Sequence, residues 1–268
     1  MLNPRDVKTV ADAKRIVEER GLSHVKVGVF DNDGVMRGKY LSRSKFFSAL
    51  DHGFAFCDVV LGWDVKDQLY DNASYTGWHT GYPDAPVRVL PHSCRDIPFE
   101  HGMLLFICEF DQQAEAVCPR ATLRRVIERC QALGFDPYAA LEYEFFMFEE
   151  TPESAREKGF RNLKPFTPDW FGYSMIRNSV HAELYHEILE MAEQMDFPIE
   201  GLHTETGPGV LEAAIAYDHA EAAADKGALF KTFMKVLAQR NGLMAPSWPS
   251  GRASTRGRVA TSMCRCAT

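Results

Sequence analysis

Between Lys8 and Arg20 apolar residues recur at helical spacing: Val10, Ala13, Ile16 and Val17 share one side, and Gly21 follows where helices commonly stop. The period then changes. VKVGVFD and VMRGKYL flank Asn32-Asp33-Gly34, and alternating or β-branched segments around an Asp-Gly turn predict a β-hairpin over residues 25–41. A short helix is expected near residues 44–52. An irregular stretch rich in aromatics, Asp and Gly runs from Leu61 to Pro98, and the apolar run MLLFICEF at 103–110 reads as a strand.

Pro119 stands where the first turn of a helix tolerates it and opens PRATLRRVIERCQALG, with Gly134 as the stop. Beyond it the pattern predicts a strand at 138–148, a loop at 150–178 carrying Pro152, Pro165 and Pro168, and a helix near 180–195. Strands near 199–205 and 209–216 and a helix near 218–240 complete it. The expected fold class is α+β, with a small domain over residues 1–114 and a second over 115–245.

With 268 residues and 46% apolar content, the chain can bury a sizeable core. No apolar run approaches the ~18 residues of a membrane span, and MLNPRDVKTV lacks the basic-then-apolar plan of a secretory signal, so a cytoplasmic protein with no membrane partner is expected. The seven cysteines are an odd number without a CxxC pair, which argues against a disulfide framework and a zinc site. A formal charge of −7 argues against nucleic-acid binding, which requires a basic face. Charge is uneven, however: residues 246–268 carry Arg252, Arg256, Arg258 and Arg265 and no acid.

The candidate chemistry lies in carboxylates. In AALEYEFFMF, two-residue alternation sets Ala140, Glu142, Glu144 and Phe146 on one face and Leu141, Tyr143, Phe145 and Met147 on the other. Two acids side by side on an otherwise apolar strand are costly unless neutralised, and a divalent cation is the usual remedy. Taken alone, a solvated surface is the simpler reading. In LHTETGPGVLEAAIA, however, Glu205 ends one strand, Gly207-Pro208-Gly209 turns the chain, and Glu212 lies on the returning strand. Four glutamates on two such units make an acidic cleft able to hold two Mg²⁺ or Mn²⁺ ions and an anionic substrate with its phosphates. His203, two residues before Glu205, is a candidate ligand or substrate contact. The other histidines show no HExxH spacing, GxxxxGK[ST] is absent, and Arg37-Gly38-Lys39 is a weak anion candidate.

FDNDGVMRGKY, LGWDVKDQLYDN, YTGWHTGYPDAPVRVLP, CPRATLRRVIERC, LEYEFFMF and HTETGPGVLEAAIAY occur in the order found in the glutamine synthetase family, and the chain resembles its gamma-glutamyl-amine (polyamine) ligase branch over residues 5–245. That resemblance implies a β-grasp-like N-terminal domain, an incomplete catalytic domain with a curved antiparallel sheet, and ring-shaped homo-oligomers with sites between subunits. It implies ATP-dependent ligation of ammonia or a primary amine to the γ-carboxylate of glutamate through γ-glutamyl phosphate, with Mg²⁺ or Mn²⁺. Glu144, Glu205 and Glu212 resemble the ligands of the glutamate-side ion, and Glu142 a ligand of the nucleotide-side ion. His203, Gly207 and Gly209 match substrate-binding positions. Asp64 and Tyr173 match positions that hold and deprotonate the amine, Asp64 in the neighbouring subunit's site. Trp63, Tyr70, Tyr75 and Trp78 around Asp64 suit either a bulky amine, through cation–π contacts, or a hydrophobic core.

After Ala245 the family pattern expects TFMAKW, a glycine-serine-glycine turn and HxH, whereas this chain reads PSWPSGRASTRGRVATSMCRCAT. With one base restored after Ala245, suitable codons for these residues translate as TFMAKWSREYPGQSGHIHVSLRD. Residues 246–268 therefore read as a frameshifted, non-native tail, and a chain so truncated is expected to lack ligase activity alone. The alternative reading is a non-catalytic, oligomer-forming or regulatory subunit.

Overall fold

The computed structural model describes residues 2–246 and, for backbone only, 261–267. The chain divides into two compact units, Met1–Leu133 with Gln194–Asp196, and Gly134–Glu193 with Phe197–Thr268.

The first unit opens with helix α1 (Val10–Glu19), started by a capping box in which Thr9 and Asp12 satisfy each other's backbone N–H groups. The expected hairpin follows: β1 (His24–Phe30) and β2 (Met36–Ser42) pair antiparallel from His24↔Ser42 to Phe30↔Met36. Next come α2 (Arg43–His52), β3 (Phe54–Cys57), β4 (Asp84–Val89), the two-residue β5 (Arg95–Asp96), β6 (Leu104–Phe110) and α3 (Pro119–Ala132). The sheet order is β2-β1-β6-β4-β3, with β5 also on β6, and β1 and β6 run parallel. Every residue of β6 is buried, as expected of a strand flanked on both sides and covered by helices. Ile16 and Val17 of α1 and Phe46 of α2 join Val25, Val27 and Phe106 in one core, with the Phe46 and Phe106 rings 4.7 Å apart.

One expectation changes in this unit. The stretch from Leu61 to Pro98 is not wholly irregular, because Asp84–Val89 forms a strand with alternating burial. Pro86 masks that strand in the sequence; here it faces Ala55 of β3, and its carbonyl accepts the Asp111 N–H at 2.9 Å. By compactness α3 groups with the first unit. The reason is electrostatic: buried Glu109 on β6 is ion-paired with Arg120 and Arg124 of α3 and with Arg88 of β4.

The second unit contains β7 (Asp136–Phe146), α4 (Pro152–Glu157), α5 (Met175–Val180), α6 (Ala182–Gln194), β8 (Ile199–Thr204), β9 (Val210–His219) and α7 (Ala220–Arg240). The predicted loop at 150–178 thus carries two short helices, started by Thr151 and Ser174 side chains that accept hydrogen bonds from first-turn N–H groups. Including β10 (Thr261–Ala267), the sheet runs β10-β7-β9-β8, entirely antiparallel. α7 covers one face, its Phe230 ring 5.1 Å from Tyr143 and 5.7 Å from Phe145.

Residues 247–260 and 268, over which most of the predicted out-of-frame tail falls, lie outside the described residues. The backbone of β10 pairs with β7 from Thr261↔Glu142 to Ala267↔Asp136, so the sheet has a strand where none was expected from the tail. The other edge of β7 offers a row of N–H and C=O groups that any extended segment can satisfy. Among the described residues no helix is long and apolar enough to cross a membrane.

Candidate metal centre

Alternation along β7 works as the sequence predicts. Leu141, Tyr143 and Phe145 turn toward α7, so Glu142 and Glu144 stand on the opposite face. β9 carries Glu212 directly opposite Glu144 in the register, while its neighbours Leu211 and Ala213 are buried. β8 places His203 opposite Glu212. Glu205 lies just past β8, where its N–H donates to the Val210 carbonyl at 3.0 Å.

Three of these side chains converge. One ligand atom each from His203, Glu205 and Glu212 lies within 4.8 Å of the other two. His203 Nδ1 is 3.8 Å from a Glu205 oxygen, and Nε2 is 4.0 Å from a Glu212 oxygen. Both separations exceed a direct hydrogen bond, and one donor atom from each of the three side chains can share a cation bonded at roughly 2.0–2.3 Å. Nδ1 also lies 3.1 Å from the Thr204 carbonyl; with the proton there, the Nε2 lone pair faces Glu212.

The electrostatics agree with a cation-seeking site. Burial pushes the Glu212 carboxyl above its ordinary range, and the negative charges of Glu205, Glu144 and Glu142 add to the rise, while His203 opposes it. The other three predicted glutamates therefore all act on Glu212. Nothing in the donor set is soft, and an array of carboxylate oxygens with one imidazole fits Mg²⁺ or Mn²⁺.

Gly207 and Gly209 serve the turn that returns β9 toward Glu205. Gly209 has φ +69°, and a Cβ there would stand 2.5 Å from the Met147 carbonyl oxygen. Its own polar backbone groups are engaged inside the chain, the N–H with Thr167 Oγ1 at 3.3 Å and the carbonyl with the Met147 N–H at 2.7 Å.

Tyr173 joins the cluster by stacking on His203, ring centroids 4.4 Å apart. Asp64 lies in the first unit, in a turn where its carboxylate accepts the N–H groups of Gln68 and Lys66. These two hydrogen bonds hold its carboxyl below the usual range. Of the aromatics around it, Trp63 and Tyr75 pack against the core while Trp78 is exposed. Arg37 is no open anion site: it pairs with buried Asp31 and with Asp67, and lies over the Trp63 ring.

A mixed-sheet unit joined in sequence to an antiparallel sheet that carries acids on one face makes this an α+β protein. The family model for the glutamine synthetase catalytic domain matches residues 116–258. The chain belongs to the glutamine synthetase family. It is 43% identical over 224 residues to type-1 glutamine synthetase 2 of Dictyostelium discoideum, covering 82% of this chain and 43% of that protein. It is 28% identical to a glutamate–isopropylamine ligase from a Pseudomonas species, covering 91% of this chain and 54% of that one. Among solved structures, a GmaS–ADP complex superimposes with a TM-score of 0.77 at 18% identity, over 95% of this chain and 55% of the other. Plasmodium falciparum glutamine synthetase gives 0.74 at 14% identity, over 99% and 55%. The chain spans about half the length of the relatives it matches.

Proposed function

We propose that this chain carries the glutamate-side half of an ATP-dependent ligase site that joins ammonia or a primary amine to the γ-carboxylate of glutamate. The observation supporting it is the convergence of His203, Glu205 and Glu212, with Glu144 opposite Glu212. In this reading Glu144, Glu205 and Glu212 hold one divalent cation and Glu142 contributes to a second. Mg²⁺ or Mn²⁺ bound there supplies charge neutralisation for the substrate carboxylate and the transferred phosphoryl group. The γ-carboxylate displaces ADP from the terminal phosphorus of ATP, and the amine then displaces phosphate from the acyl phosphate. Asp64, held as a carboxylate by its two N–H donors, and Tyr173 bind the incoming ammonium and take its proton, Asp64 serving the adjacent copy in a ring-shaped homo-oligomer.

Residues 246–268 are proposed to be an out-of-frame continuation, so that they do not carry the TFMAKW, glycine-serine-glycine and HxH residues that the family pattern places there. Two preparations test the reading: the 268-residue chain, and the product of the same gene with the frame restored after Ala245. The restored product is expected to release phosphate only with ATP, glutamate, a divalent cation and an amine or ammonia. The 268-residue chain is expected to bind Mn²⁺ but release none. No amine-dependent turnover by the restored product would overturn the ligase assignment; turnover by the 268-residue chain would overturn the proposed inactivity.

A further inference from the structure

Thr204 lies between His203 and Glu205, and two-residue alternation turns its side chain away from theirs. Its hydroxyl is buried, yet it makes two hydrogen bonds to one loop, accepting from the Ser174 N–H at 2.8 Å and donating to the Phe171 carbonyl at 3.0 Å. Its own carbonyl accepts the Tyr173 N–H at 2.8 Å and lies 3.1 Å from His203 Nδ1. A single residue therefore grips the loop before, at and after Tyr173, and touches the imidazole against which Tyr173 stacks.

Apart from that backbone hydrogen bond and its stacking on His203, no hydrogen bond or ring contact holds Tyr173 among the described residues. Its side chain is 71% exposed, and its backbone sits at φ +54°, a left-handed conformation that a bulky residue adopts only when its surroundings impose it. An unrestrained aromatic in that setting would sample several positions. Instead its ring lies 25° from the plane of His203.

We infer that Thr204 is the positioning residue that fixes Tyr173 over His203 and so builds an aromatic wall along one side of the acidic cluster. The inference rests on the proposed ligase reading for its purpose, since a fixed π-face beside carboxylates is a place to hold an organic ammonium. It rests on the loop geometry alone for its existence. Thr204→Val keeps the shape and removes the hydroxyl; both loop hydrogen bonds go, leaving the buried Ser174 N–H without its acceptor. Thr204→Ser keeps the hydroxyl.

The experiment is proton NMR of the His203 ring in the 268-residue chain, with Tyr173→Leu identifying the ring-current shift that Tyr173 causes. A parallel Mn²⁺ titration reads the carboxylates. Thr204→Val is expected to lose the ring-current shift while its Mn²⁺ affinity stays within about twofold, and Thr204→Ser to keep both. A Thr204→Val chain that retains the shift would overturn the inference, as would a wild-type chain with no shift to lose. If Val does not fold, Thr204→Ala is read in its place; failure of both to fold would also overturn it, because a residue that only positions a loop leaves the sheet standing. Failure of the wild-type chain to bind Mn²⁺, with the shift behaving as expected, would remove the ligase reading and leave the positioning role intact.

Discussion

Glu144 on β7 and Glu212 on β9 face each other directly in the antiparallel register, two like charges in the closest cross-strand relationship a sheet offers. Such pairs oppose folding, and Glu205 and Glu142 add to the repulsion at Glu212. A cation bound in the proposed site would offset this repulsion.

In metal-free buffer with a chelator, Glu144→Gln is expected to stabilise the chain by up to about 1 kcal/mol, the scale of one cross-strand pair. Added Mn²⁺ should raise the melting temperature of the wild type and do little for Glu144→Gln or Glu212→Gln, because binding to the folded state alone is what stabilises. Thermal melts with chelator and with Mn²⁺ check both halves; equal responses in all three chains would remove the metal centre.

Acid sensitivity should have a separate source in Glu150. Its carboxylate accepts from Lys158, Ser154 and the Lys164 N–H, which together hold it at about 2 against an ordinary 4.5. A lowered folded-state value means the unfolded chain binds the proton first, so this stabilisation is present above about pH 4.5 and is lost as pH falls toward 2. Urea unfolding across that window should show a shallower pH dependence for Glu150→Gln than for the wild type.

Packing of α7 on the sheet gives a third expectation. A Cβ at Gly227 would overlap the Leu141 side chain and stand 2.8 Å from the Tyr143 hydroxyl. Gly227→Ala should therefore destabilise the second unit by about 1–3 kcal/mol through overpacking, despite alanine's better helix propensity. Denaturant melts measure it, and an unchanged or raised stability would show that α7 sits farther from β7.

The coding DNA provides a fourth test. Codons 243–250 should give Thr-Phe-Met-Ala-Lys when one base is inserted after the Ala245 codon. A nucleotide sequence that cannot be shifted in this way would return residues 246–268 to the native protein.

Local pattern was enough to read the hairpin, the strand at 103–110 and the longer elements from Pro119 to Arg240, though not the two short helices within 150–178, because side-chain period and turn residues act over a few positions. It was not enough for β4, where Pro86 hides an alternation that neighbouring strands enforce. Nor could it reveal α3's attachment, since Glu109 and Arg120 read as two ordinary charges until β6 buries them together.

For the site, the sequence by itself determined which acids share a face of β7 and that a glycine-proline-glycine turn brings a strand back beside Glu205, since alternation and turn chemistry are local. Only the tertiary structure decided that Glu144 lies opposite Glu212, that His203 stands among the carboxylates, and that Thr204 ties Tyr173 to that imidazole. The Glu144–Glu212 register and the docking of the Tyr173 loop on Thr204 are settled by contacts between residues tens of positions apart, outside any short window of sequence, whereas His203 and Glu212 share one window and needed the fold only to set their pairing.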